Sequence, residues 1–240
     1  MADRMRGSRM WALALVIVLA GCCGKDNPLG VRTGGAGGAA SVPLGTAAGF
    51  TVLAGSTVTN TGATAVTGDL GVSPGTAVTG FPPGTVSGTI HAGDAPAAQA
   101  QTDLTTAYNA AVAQTTGSIS VSGDLTGLTL APGLYTSTSS LAISGSLTLN
   151  AFGDGNAVFL IQMPTTLTTG PGSKVILTNG AKASNVVWQV GSSATLGTNS
   201  VFKGTILADQ SITVNTGAHV DGRVLARIGA VTLDTNVIAP

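Results

Sequence analysis

Few side chains in this sequence are equipped for acid, base or metal chemistry. The 240 residues contain two histidines, His91 and His219, and two cysteines, the adjacent Cys22 and Cys23. Neither histidine has a second His, Cys or paired carboxylate at ligand spacing, so no metal site and no cofactor is expected. His91 reads as a hydrogen-bonded turn residue, and His219 as a solvated residue pointing outward from a short strand. Asp69, Asp209 and Asp221 lie near chain reversals and could in principle pair as acids, which keeps a polysaccharide-active enzyme as one reading. Such an enzyme needs clustered carboxylates or bound calcium, with basic and aromatic side chains along a groove. Here the carboxylates are scattered, Tyr108 and Tyr135 are the only tyrosines, and Trp188 is the only tryptophan beyond Trp11. No catalytic residue is assigned. Gly68-Asp69-Leu70-Gly71 reads as a backbone corner, because no Gly-x-Gly-x-x-Gly stands between a strand and a helix.

The groups that do recur are small hydroxyls. Thr166-Leu167-Thr168, Thr195-Leu196-Gly197, Thr213-Val214-Asn215 and Thr232-Leu233-Asp234 alternate strictly, which sends the aliphatic residue inward and the small residues outward on a strand facing water. Between Ser193 and Asn236, residues 194–208, 212–226 and 231–235 repeat β-branched runs broken by Gly and Asn. That is the pattern of a β-solenoid, whose coils stack strand on strand. Residues 57–72 are the same unit far away in the sequence. Aligned on 213–226, they share Thr-Gly-Ala, a Val, a Gly and the closing apolar pair.

One segment breaks the β pattern. Over 94–115 the residues Ala100, Leu104, Ala107, Tyr108, Ala111 and Val112 are spaced for one helical face. Asp94 can cap the start, and Pro96 is tolerated in the first turn. Residues 157–161, 185–190, 205–208 and 223–226 are nearly apolar on both alternating faces, as strands buried on both sides are. The helix is expected to lie on them.

Arg4, Arg6 and Arg9 precede an apolar run from Trp11 to Ala20, and Leu19-Ala20-Gly21-Cys22 closes it with small residues before a cysteine. Residues 1–21 resemble a bacterial lipoprotein signal. That likeness implies cleavage before Cys22, lipidation of its thiol, and a membrane as partner through the lipid anchor, at an outer membrane or cell surface, or else secretion. Residues 22–43, Gly-rich from Gly34, read as a flexible tether, and 44–240 as one domain. Adjacent cysteines provide no disulfide within that domain. Charged residues make up 8% of the chain, the formal net charge is zero, and no basic cluster exists to hold nucleic acid. A monomer is expected.

The motifs are similar, in kind and in order, to those of the microbial ice-binding (antifreeze) proteins. They are Thr57-Val58-Thr59-Asn60-Thr61-Gly62, then Val66-Thr67-Gly68-Asp69-Leu70-Gly71-Val72-Ser73-Pro74-Gly75, then Ile90-His91-Ala92-Gly93-Asp94, then Ala100 through Tyr108, then Leu130-Ala131-Pro132-Gly133-Leu134-Tyr135. The resemblance covers 44–238. It implies a mainly β fold, a right-handed β-solenoid of triangular cross-section with one long α-helix packed alongside and the N-terminal coil stacked out of sequence order beside C-terminal coils. It also implies a non-enzymatic protein whose partner is the surface of an ice crystal, met by one flat face so that growth and recrystallisation are inhibited or a cell adheres to ice. On that implication the ice-binding residues are Thr57, Thr59, Thr166, Thr168, Thr195, Thr213, Asn215 and Thr232, with Thr61, Thr64, Thr198 and Thr216 at the neighbouring edge. Asp234 breaks the array at one end. A surface around Lys174, Lys203, His219 and Asp221 is the competing face, and its charges argue against it. The alternative function is a β-solenoid adhesin or structural protein without ice activity.

Overall fold

The structure, a computed structural model, describes residues 31–32 and 38–240. The expected signal at 1–21 and the acylated Cys22 lie outside the described residues. Strands dominate, and every pairing between them is parallel. A typical coil contributes one strand to each of three faces, as 186–190, 194–196 and 201–203 do.

The stacking order is not the chain order. Val52 and Leu53 pair with Val224 and Leu225, and Val58 through Thr61 pair with Val231 through Asp234. Residues 50–92 therefore continue the stack beyond the C-terminal coils. This places 57–72 next to the units it resembles, so the sequence similarity reports adjacent positions in one spatial repeat.

Inward side chains from the three faces fill the axis. Trp188, Tyr135, Phe159 and Phe202 are the largest fully buried groups. Trp188 packs on Phe202 with ring centroids 5.1 Å apart, and its indole Nε1 donates to the Lys203 carbonyl at 3.0 Å. Tyr135 sends its hydroxyl to the Ala131 carbonyl at 2.8 Å. Both large rings thus bury their apolar bodies while each polar atom finds a partner. At two corners the strand runs through without a break, in Val201–Ala208 and His219–Ala226. Gly204 and Gly222 make the bend with φ of +110° and +144°, a region that costs glycine little.

One face is covered by the helix Ala95–Val112, whose N-cap Asp94 accepts from the Ala97 N–H at 3.0 Å. Ala100, Leu104, Tyr108 and Ala111 pack against Leu134, Leu160, Val187, Leu207, Leu225 and Leu53. The strands apolar on both sides are those under the helix, as their composition requires. Val112 is a correction: it is 47% exposed and does not join the buried face, which Ala97 does. The helix also returns the chain from one end of the stack to the other. Its 18 residues span about 27 Å, most of the roughly 38 Å that the strands beneath it cover at about 4.8 Å per spacing. The end of the expected tether is a correction: residues 38–43 run beside the helix, where Ala39 and Val42 pack on the same apolar cluster. Ala40 exchanges two hydrogen bonds there with the Gln114 side chain.

Candidate functional site

The face made by the alternating Thr strands is left open. Its strands stack in the order 123–124, 141–143, 167–169, 194–196, 212–214, 231–234, 57–61 and 77–79. Because the register has no slip, one outward position aligns across all of them: Asp124, Ala142, Thr168, Thr195, Thr213, Thr232, Thr59 and Thr79. Six consecutive members are threonine. Among the described residues the register shift lies in the other sheet, between Phe50 and Val52 on the helix-covered face.

Two residues earlier on each strand, a parallel column runs Thr166, Ser193, Ser211, Ala230, Thr57 and Ala77. Two residues later the outward positions are Ser144, Gly170, Gly197, Asn215, Asp234 and Thr61. Apart from the two carboxylates, every side chain in these columns is small and uncharged. Columns lie roughly 6.6–7 Å apart along the strands and rows about 4.8 Å apart across them, so the hydroxyls and methyls form a two-dimensional grid. The inward partners Leu167, Leu196, Val214, Leu233 and Val58 are fully buried, which pins each strand's face. Thr59 and Thr232 are in hydrogen-bond contact through their Oγ1 atoms at 3.4 Å. At Gly197 an added Cβ would lie 2.5 Å from the Gly170 carbonyl oxygen, so the third column needs glycine there to keep the sheet close-packed.

Charge is confined to the margins. Asp124 sits on the end strand, where hydrogen bonds from Ser144 and Thr126 hold its carboxyl down to about 2. Asp234 closes its strand and accepts from the Thr216 and Thr235 hydroxyls. The competing face is different in kind. Lys174, Val201, His219 and Val237 share one outward column there, and Lys203 pairs with Asp221 at 2.9 Å. Each ion on that face carries its own hydration shell and interrupts any regular water layer.

Of the expected site residues, Thr168, Thr195, Thr213, Thr232 and Thr59 are brought together in the central column, Thr57 and Thr166 in the earlier one, and Asn215 and Thr61 in the later one. Thr198 and Thr216 are exposed on successive turns at the corner beyond it. Thr64 is a correction. It is 1% exposed, with its Oγ1 accepting from the buried Asn236 N–H at 3.1 Å, because the chain has already turned inward at that corner. Thr79 escaped notice, although Ala77-Val78-Thr79 alternates as the longer strands do; Gly80 and two prolines follow closely and mask so short a strand. Ser193 and Ser211 were missed too, since a column is legible only once the register is known.

The groups equipped for acid, base or metal chemistry are dispersed. His91 Nδ1 and Asp94 Oδ2 are 2.7 Å apart, and the hydrogen bond from the Ala97 N–H, followed by that from His91, lowers the Asp94 pKa. Asp209 pairs with Arg227 at 2.5 Å, and Asp69 accepts from the Thr89 N–H. Among the described residues no three His, Cys, Asp or Glu side chains converge as a metal site would require.

A family model described as Ice-binding-like matches residues 52–239. The chain is 53% identical to an ice-binding protein of Nostoc sp. (strain HG1) over 197 residues, which are 82% of this chain and 73% of that protein. The crystal structure of an ice binding protein from an Antarctic biological consortium superposes with a TM-score of 0.84 at 55% identity, covering 85% of this chain and 93% of that one. The ice-binding protein of the Antarctic ascomycete Antarctomyces psychrotrophicus superposes with a TM-score of 0.81 at 43% identity, covering 83% and 98%.

Proposed function

We propose, from the premise that this chain belongs to the Ice-binding-like family, that it binds ice through the Thr-bearing sheet. One observation carries the choice of face: Thr168, Thr195, Thr213, Thr232, Thr59 and Thr79 stand in register on an open, bulge-free sheet whose only charges are marginal.

The physical account follows from the threonine side chain. Its χ1 is stiff, so each methyl and hydroxyl keeps a fixed place on the grid. The methyls border a layer of water that cannot bond downward, and the hydroxyls anchor the edges of that layer as donors and acceptors. Water ordered at these spacings merges with the growing lattice. Many weak contacts add because one rigid sheet positions them together, with little side-chain entropy left to lose. Adsorbed molecules then pin the crystal front, which accounts for inhibited growth and recrystallisation.

The same reading extends to the N-terminus. Arg4, Arg6 and Arg9, the short apolar run and Cys22 support a lipid-anchored protein at a cell surface, tethered through Gly-rich residues between Cys22 and Gly38, which could hold a cell to ice. To test the functional reading, a dilute solution is frozen and annealed just below melting. Small faceted crystals that resist coarsening are expected; rounded crystals that coarsen as in buffer would overturn it.

A further inference from the structure

Beside the C-terminal half of the helix lies a notch of about 340 Å³, at the corner where the helix-covered face meets the Thr face. Its polar lining consists of Tyr108, Thr136, Ser137, Gln162 and Gln189. The two glutamines are 9% and 5% exposed, yet each uses only half of its carboxamide. Gln162 Nε2 donates to the Ala111 and Gln114 carbonyls at 2.5 and 3.0 Å, capping the end of the helix. Gln189 Nε2 donates to the Tyr108 hydroxyl at 2.9 Å. Among the described residues neither Oε1 accepts a hydrogen bond, and neither is sealed from solvent.

Two anchored acceptors therefore face one solvent-reached cavity, each with accepting capacity that no described protein group uses. The Tyr108 oxygen is already an acceptor, which leaves its proton free to donate outward. Burial pushes that phenol's pKa up, so the proton stays on. Thr136 adds a hydroxyl able to do either. The remaining wall is apolar and includes Val112 and Met163; Val112 is the helix residue that fails to reach the core. Among the described residues no free charge borders the cavity, since Arg227, stacked 4.5 Å over the Tyr108 ring, is spent on Asp209.

We propose that this notch binds a single neutral sugar ring. Alternating acceptors and donors beside an apolar wall match a ring that shows hydroxyls on its edge and C–H groups on its face. The absence of charge argues against an anion or cation. The volume is at the lower end of small-molecule sites, the size of one ring. Such hydroxyls would replace ordered water without losing its hydrogen bonds. The notch is distinct from the Thr columns, so this inference stands or falls apart from the ice-binding reading.

The test is an NMR titration of the ¹⁵N-labelled protein with methyl glucoside, with glycerol, and with a dextran, the last to separate a free sugar from the end of a polymer. Saturable shifts confined to amides near 136–137, 162–164 and 189–191 are expected for the glucoside, with a Kd of about 1 mM. Gln189→Leu and Thr136→Val should each weaken binding roughly tenfold, the loss of one hydrogen bond. Thr136→Val leaves every helix contact in place, so it decides the matter should Gln189→Leu misfold. No saturable shift, equal binding of glycerol, or shifts unchanged in Thr136→Val would overturn the proposal.

Discussion

Replacing Thr213 with tyrosine puts the flat-face account under the greatest stress. Within the six-Thr column, Thr168 and Thr195 lie on one side of Thr213, and Thr232, Thr59 and Thr79 on the other. The column spans roughly 24 Å, and a tyrosine ring would stand about one strand spacing, some 4.8 Å, above its neighbours' hydroxyls. A rigid crystal plane resting on that ring touches one flank at most, so at least half of the column loses contact whichever way the molecule tilts. Thermal hysteresis should fall by more than half. Folding should be spared, because a solvent-facing change with no buried partner typically shifts stability by less than about 0.5 kcal/mol. Thr79→Tyr, at the end of the column, leaves five threonines on one side and should cost less. Ser146→Tyr, on the charged face, should cost nothing. Nanolitre osmometry on the three variants, with unfolding midpoints as the folding control, gives the order directly. Wild-type hysteresis in a folded Thr213→Tyr protein, or equal damage from Ser146→Tyr, would refute the choice of face.

Three further expectations follow from the same geometry. Asp234→Asn removes the charge standing in register with Asn215 and Thr61, so hysteresis should rise above wild type; a fall would contradict the requirement for an uncharged surface. Trp188→Ala empties the core at a fully buried ring and strands the Lys203 carbonyl, which should cost about 3–5 kcal/mol in chemical denaturation. Asp124 is held at about 2 against an ordinary 3.8, so its ionised form favours the folded state; that contribution is complete above pH 4 and disappears as the pH falls toward 2. The difference in melting temperature between wild type and Asp124→Asn should be present at pH 5 and vanish near pH 2.

Much of this architecture was legible because solenoids write their geometry locally. A strict alternation such as Thr232-Leu233-Asp234 states which side is buried, and the helix declared itself through its spacing and Asp94. The out-of-order stacking could be anticipated only through family likeness, since pairing of Val58 with Val231 spans most of the chain and leaves no local trace. What stayed hidden depended on three-dimensional register. Thr64 looks like another exposed threonine until the corner turns it inward onto Asn236. Thr79 looks like part of a Gly- and Pro-rich turn until its strand pairs with 57–59. Val112 obeys the helical period, yet the solenoid corner falls away beneath it and opens the notch.

The central claim concerns adhesion between a sheet of ordered hydroxyls and frozen water, and a single ice crystal tests it most directly. A hemisphere is grown slowly into a dilute solution of fluorescently labelled protein and then imaged. The account predicts bright, bounded patches on particular crystal planes that disappear for Thr213→Tyr. A uniformly dark crystal grown in the presence of correctly folded protein would contradict it.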